Sequence, residues 1–405
     1  MLFPTSGVPA RTRVPGPQIR RLERTLLVSA GFEDLILLYP VYALLFAEHG
    51  LSTAEISSLF AIWSLTGLLL EVPSGVWADV VSRRLLLIIG PLLSAAGFAL
   101  WVVAPSYGAF AVGFVLWGTG GALRSGAQEA LVYEELDRLG AASRYVGLMG
   151  RAGAVSMAAT AVATAAAGPL FALGGYAALG TASVVACVLC AGAAALLPEH
   201  RSDDSAGQDD DAPDGGYAAT LRTGLAEVRG SKAVRNALLM AILLTTVWGA
   251  LDEYVPLLAM ETGASTRDVP FLVLAVWVGV TLGSLLAARA ERLAVRTMGA
   301  AVAVAGLVMA VGALSGSPYG FLLLASAFLV FQMADVVADA RLQAAITGPS
   351  RATVTSLAGL GTSVSTLLMY AAYGTASQYT GHGALFALFA VPYVVVAFAM
   401  ARSVR

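Results

Sequence analysis

Apolar residues along this chain come in long unbroken runs. They show neither the alternation of a half-buried strand nor the three-in-seven stripe of a surface helix. The runs cover 26–47, 55–77, 85–104, 108–132, 146–172, 176–197, 233–259, 269–288, 297–315, 319–345, 353–375 and 383–401. Each is close to the roughly 20 residues that a helix needs to cross a bilayer core of about 30 Å. The pattern predicts an all-α membrane protein with twelve transmembrane helices. It divides the chain into a tail (1–25), a first bundle (26–197), a linker (198–232), and a second bundle with a short tail (233–405). The linker, Asp203-Asp204 through Asp209-Asp210-Asp211 to Asp214, is polar and acidic, which suits a flexible connection.

Composition agrees and narrows the function. Of 405 residues, 58% are apolar and 12% charged, with a net charge of −2. A water-facing surface needs about twice that share of charge. A soluble enzyme, a nucleic-acid binder and a disordered chain are excluded. His49, His200 and His382 are scattered, and Lys232 lacks a phosphate-binding glycine frame, so no catalytic residue, metal or cofactor is expected. Cys187 and Cys190, inside one apolar run, read better as small lipid-compatible side chains than as a redox or metal pair. One lysine against 23 arginines, with abundant alanine, points to a GC-rich bacterial genome.

The arginines orient the chain. They cluster in the amino tail, in every second loop (Arg83 and Arg84, Arg138 and Arg144, Arg289 and Arg292, Arg341 and Arg351) and at the carboxyl end, while the alternate loops hold only Arg267. Positive charge stays on the cytoplasmic side, so both termini are expected there.

The two halves repeat. Glu48-His-Gly50-Leu-Ser52-Thr53-Ala-Glu55 after the first run answers Glu261-Thr-Gly263-Ala-Ser265-Thr266-Arg-Asp268 after the seventh, at an offset of 213. In both, glycine can end one helix and Ser-Thr-x-Glu/Asp can cap the next. Two parallel six-helix repeats are a transporter architecture that places a cavity near the bilayer midplane.

After the second run the chain reads Glu71-Val-Pro73-Ser-Gly75-Val-Trp-Ala78-Asp79-Val-Val-Ser82-Arg83-Arg84. This resembles the GxxxDxxGRR loop of the major facilitator superfamily, in the form common among its bacterial drug-efflux-like members. The resemblance implies two pseudo-symmetric bundles of six helices each. It implies a conformational latch in which Gly75 and Asp79 hold helix 2 against helix 11. Arg83, with Arg84 beside it, would pair with an acid at the inner end of helix 4, where Glu134, Glu135 and Asp137 lie. Gly168-Pro169 and Gly174-Gly175 miss the glycine-rich antiporter motif by two residues.

Charges inside the runs give the candidate path: Glu33, Asp34, Glu71, Arg124, Gln128, Glu129, Asp252, Glu253, Gln332, Asp335 and Asp339. A charge at the bilayer centre costs at least about 2.5–3.5 kcal/mol, so such residues face a cavity or a partner. Helices 1, 4, 7 and 10 carry most of them and line the cavity in the superfamily; helices 3, 6, 9 and 12 carry none and are expected to face lipid. Glu71–Arg124 and Asp34–Arg124 pairs are both within geometric reach. The excess of acids suits a cationic or neutral amphiphilic cargo, and one of them can load and release a proton. The expected function is a proton-coupled transporter in the bacterial inner membrane, monomeric, exporting a small hydrophobic or cationic compound. Proton-symport uptake of a nutrient is the alternative. A non-transporting receptor or assembly factor is the reading from another class.

Overall fold

The computed structural model describes residues 16–200, 226, 228–346 and 351–402, except for the side chains at 72, 76, 79, 352 and 398–402. The acidic linker stretch 203–214 and the side chain of Asp79 therefore lie outside the described residues. All regular structure among them is helical. The first helices are α1 (Pro17–Glu33), α2 (Tyr42–Glu48), α3 (Thr53–Val80), α4 (Arg83–Val103) and α5 (Tyr107–Arg138). The run Tyr145–Ala195 is two helices, α6 (145–173) and α7 (176–195), because Gly174 and Gly175 leave helical geometry and Gly175 has φ 58°. Then follow α8 (Lys232–Asp252), α9 (Val255–Glu261), α10 (Val269–Ala290), α11 (Val295–Leu314), α12 (Gly320–Ala345), α13 (Arg351–Ala376), α14 (His382–Leu388) and α15 (Val391–Arg402).

Eight stretches among the described residues are long and apolar enough to cross a membrane, the kinked 142–195 being one. The twelve sequence runs all fall on helix, but several are interrupted or diluted. Run 26–47 breaks at 34–41, run 233–259 at 253–254, and run 383–401 at 389–390. Run 108–132, inside α5, is diluted by glycines and Arg124. Outward-facing apolar side chains, such as Leu69, Leu285, Leu307 and Leu322, are more than 60% exposed. Such a surface needs lipid as its solvent.

Packing falls into two groups. α1 and α4 pack on the 145–195 run, and α3 and α4 on α5; α10 and α11 pack on α12, α12 and α13 on α8, and α14 and α15 on α11. α3 on α13, the 145–195 run on α10, and α2 on α9 join the groups. Glycines set the closest approaches. A Cβ at Gly90 or Gly97 of α4 would come within 2.8 Å of the Gly120 or Gly113 carbonyl oxygen of α5. On α10, a Cβ at Gly279 or Gly283 would overlap the Ala325 or Leu329 carbonyl of α12. Small residues allow such backbone contact where lipid supplies no hydrophobic drive.

The repeated loop has shared and divergent parts. Gly50 and Gly263 end α2 and α9 with φ 85° and 82°. Ser52 and Glu55 form a full capping box on α3, with Ser52 Oγ accepting from Glu55 N at 3.3 Å and Glu55 Oε2 from Ser52 N at 2.8 Å. In the second copy the expected cap is absent. Ser265 Oγ instead donates to the Asp268 carboxylate at 2.6 Å. Asp268 is itself the boundary residue, and Pro270, which has no N–H, lies in the first turn of α10.

α1 also starts earlier than expected, at Pro17 and not near 26. Proline is well placed there because the first helical N–H has no partner to lose. Arg20, Arg21 and Arg24 thus belong to a helix and not to a tail.

Candidate functional site

A cavity of about 640 Å³ opens between the two helix groups. Its charged lining is Glu33, Asp34, Glu71, Arg124, Asp252 and Glu253, six of the eleven path residues expected from sequence. The two acid pairs owe their position to the breaks in the first and seventh runs. Glu33 ends α1 and Asp34 follows it; Asp252 ends α8 and Glu253 follows it. Helix carboxyl ends carry partial negative charge from unsatisfied carbonyls. Each pair therefore places two carboxyl groups at an end where the helix itself disfavours negative charge. Irregular backbone at membrane depth is tolerated where protein buries it or a cavity solvates it. Here α7 covers the first break: Ser183 Oγ accepts the Leu38 N–H at 3.2 Å.

Arg124 is the one basic residue among these lining residues, and it forms an ion pair with Glu33. Glu33 takes the place given from sequence to Glu71 or Asp34, both of which line the same cavity. Glu253 accepts a hydrogen bond from the Tyr42 hydroxyl across the two groups. Asp252 Oδ1 is buried with no hydrogen-bond partner among the described residues. Tyr39, Trp117 and Trp63 form a stack on the wall, with ring centroids 5.4 and 4.9 Å apart.

The other five path residues lie outside the lining. Gln128 is half-buried and Glu129 exposed, further along α5 than Arg124. On α12, Asp335 accepts from Thr245 Oγ1, Gln332 keeps a buried Oε1 without a partner among the described residues, and Asp339 is exposed. Of this stripe Asp335 bonds across to α8, and none of the three is among the lining residues. Of the aromatics near these charges, Tyr39 and Trp117 line the cavity, whereas Phe32, Trp248 and Tyr254 are outside the lining.

The division into lining and lipid-facing helices needs correction as well. α4 contributes Gly90, Pro91, Ser94 and Phe98, and α7 contributes Cys187 and Cys190. The cysteines are 3% and 1% exposed, so they face the interior and not lipid. The spacing Ser183, Cys187, Cys190, one face of a helix, was the signal. Trp63, Trp277, Ser363 and Thr366 of the wall were missed for lack of charge.

The cavity is closed at one end. Hydrogen bonds between the groups among the described residues are Tyr42–Glu253, Tyr254 OH to Ser57 Oγ at 2.8 Å, and Thr266 Oγ1 to Glu48 Oε1 at 3.3 Å. Phe60 packs on Tyr254 and Tyr370 at the same level. All lie toward α2 and α9. At the far end a Cβ on Gly75 or Gly359 would meet nothing within 4 Å.

Around the signature loop, Arg83 pairs with Glu134 and donates from Nε to the Ala78 carbonyl at 3.1 Å. Ser82, in the motif's last glycine slot, caps α4 by accepting from Leu85 N and donates to Glu199 at 2.5 Å. Arg84 donates to the Leu197 carbonyl at 3.4 Å. Glu135 is engaged elsewhere, accepting from Arg138 Nη2 at 3.0 Å and the His200 backbone N–H at 2.7 Å. Burial pushes the Glu135 carboxyl up, but the bonds from Arg138 and His200 outweigh it and hold the group below the usual carboxylate value.

Three comparisons bear on identity. The fold matches a mutant form of the nucleoside transporter NupG with a TM-score of 0.75 at 14% identity, covering 94% of this chain and 98% of that one. It matches a D-xylose–proton symporter at 0.68 and 14% identity, covering 95% and 98%. A bacterial homologue of the human lysosomal transporter Spinster, inward-facing and unoccupied, matches at 0.68 and 15%, covering 96% and 94%. No curated protein sequence matches. The family model described as Major Facilitator Superfamily matches residues 26–340, most of the chain. With its helical architecture and lipid-facing apolar surface, this multi-pass membrane protein belongs to the Major Facilitator Superfamily, whose members are transporters and not enzymes.

Proposed function

We propose that the chain is a proton-coupled secondary transporter that exports a small hydrophobic or cationic compound by alternating access. In this reading the membrane is the bacterial inner membrane, both termini are cytoplasmic, and twelve crossings form the halves 26–197 and 233–405. The observation that carries it is the pairing of acids at two broken helix ends on one cavity. Five carboxylates face that space with a single arginine, and Glu33 already holds it. A cation entering from the open end meets both a negative field and an aromatic stack suited to its charge.

Asp34, Glu71 and Asp252 are the acids we assign to proton loading. Glu33 holds Arg124, and Glu253 holds the closed end through Tyr42. Gln128, Glu129, Gln332, Asp335 and Asp339 serve as flanking polar positions. Gly75, Asp79, Arg83 and Arg84 form the latch of the signature loop, with Glu134 as the partner of Arg83. Glu135 anchors the neighbouring helix ends.

The test uses everted membrane vesicles and a lipophilic cation, tetraphenylphosphonium, as probe. Wild type should accumulate it when the lumen is acid and stop on addition of a protonophore; Asp252→Asn should lose the gradient dependence at equal protein level. Accumulation by Asp252→Asn with an unchanged pH profile contradicts the assignment. Uptake by intact cells that exceeds that of cells lacking the protein and follows an imposed inward proton gradient at fixed membrane potential would make the protein a symporter instead.

A further inference from the structure

A second hollow, of about 360 Å³, lies apart from the cavity, where α1 begins and α7 ends. It is lined by Pro17, Arg20, Arg21, Arg24, Thr25, Val28, Ala193 and Leu196. Three of these eight are arginines and none is an acid. The α1 contribution follows one helix face, since positions 17, 21, 24 and 28 are spaced by four, three and four residues. That face is graded: arginines fill its first turns, and Val28 follows one turn deeper, about 6 Å at 1.5 Å per residue. Val28 and Leu196 are 49% and 60% exposed, so the hollow borders apolar surface beside the arginines and, at Val28, deeper along α1. Arg21 and Arg24 are both exposed. The acid nearest in the α1 sequence, Glu23, is turned away to Arg144 and Arg151 at 3.0 and 3.2 Å.

We propose that this hollow is the headgroup site of an anionic phospholipid. Its phosphate would sit among the guanidinium groups of Arg21 and Arg24, which present paired donors to phosphate oxygens. An acyl chain would run along Val28, Ala193 and Leu196. Charge selects the occupant. The amino-terminal segment 1–15 carries Arg11 and Arg13 and no acid, so it is repelled. A zwitterionic lipid brings its own cation to a site where Arg21 and Arg24 already stand. Basic pockets between membrane helices bind anionic headgroups for these reasons. The site requires only that the chain is embedded in a membrane. It stands or falls separately from the direction and coupling of transport.

The experiment is native mass spectrometry of the full-length, delipidated protein titrated with phosphatidylglycerol, phosphatidylcholine and inorganic phosphate. Wild type should take up phosphatidylglycerol at concentrations about tenfold or more below phosphatidylcholine, the scale expected for two arginines on an anionic group. Arg21→Gln with Arg24→Gln should erase most of that preference, whereas Arg21→Lys with Arg24→Lys should retain it. Both side chains are exposed, so unfolding is not expected, and a melting curve on each variant checks it. An unchanged preference in the glutamine variant overturns the proposal. So does displacement by equimolar inorganic phosphate, which would define a free-anion site. A preference that emerges only after Asp203, Asp204, Asp209, Asp210, Asp211 and Asp214 are replaced by serine would give the hollow to the acidic segment and also overturn it.

Discussion

Arg124 is the residue on which the cavity's electrostatics turn. Its side chain is 35% exposed and that of Glu33 16%, so the pair is partly dehydrated, and removing either member strands the other. Glu33→Gln should cost about 1–3 kcal/mol in stability, the range for leaving a buried polar group unmatched. The double change Glu33→Gln with Arg124→Gln should cost less than the sum of the singles, which thermal unfolding of all four proteins in detergent would read. Glu135 gives a pH prediction. Its folded pKa is depressed, so the stability it adds is present above the unfolded value of about 4.3 and is lost as pH falls through the folded one. Protection from hydrogen exchange at the carboxyl end of α5, taken relative to the intrinsic rate at each pH, should therefore fall below roughly pH 4. Glu135→Ala should show the lower protection already at neutral pH. Of these residues the sequence revealed type and depth but not partner. Asp34 and Glu71 had the depth to reach Arg124, yet Glu33, the last residue of α1, is the one that holds it.

Helix breaks and glycine contacts govern the next scale. The runs 26–47 and 233–259 were legible as apolar stretches, but hydropathy does not register a change of backbone direction inside one. The acid pairs were visible; that they mark the ends of α1 and α8 was not, and the first break depends on a distant neighbour, Ser183, to accept the Leu38 N–H. The polar stripe on α12, which lies outside the cavity lining, shows a related point. Periodicity tells which residues share a face, not whether that face meets a cavity or a packed helix. On α10, Gly279 and Gly283 sit one turn apart against the α12 backbone. Gly279→Leu should separate the two helices and destabilise the second group by about 1–3 kcal/mol or more. Gly121→Ala, where a Cβ meets nothing within 4 Å, should leave the melting temperature nearly unchanged. Equal losses at both positions would mean that close approach is not what selects glycine on α10.

The whole molecule presents two helix groups, one cavity between them, and bonds between the groups concentrated at the α2 and α9 end. Fold class was legible from twelve apolar runs and a repeated loop, since bilayer thickness and backbone satisfaction leave few architectures. The state of the cavity was not legible, because it depends on contacts between residues 42 and 253 or 57 and 254, about 200 positions apart in sequence. Closure at one end is stabilised in part by the Tyr42–Glu253 bond, so Tyr42→Phe should shift the population toward opening at that end. The most direct measurement uses paired spin labels and double electron–electron resonance, with one pair at positions 49 and 267 and the other at 137 and 291. Alternating access predicts opposite changes: acidification or added cation that lengthens the 49–267 distance shortens 137–291, and Tyr42→Phe biases both the same way. Distances that stay fixed, or that lengthen and shorten together, would contradict alternating access to this cavity.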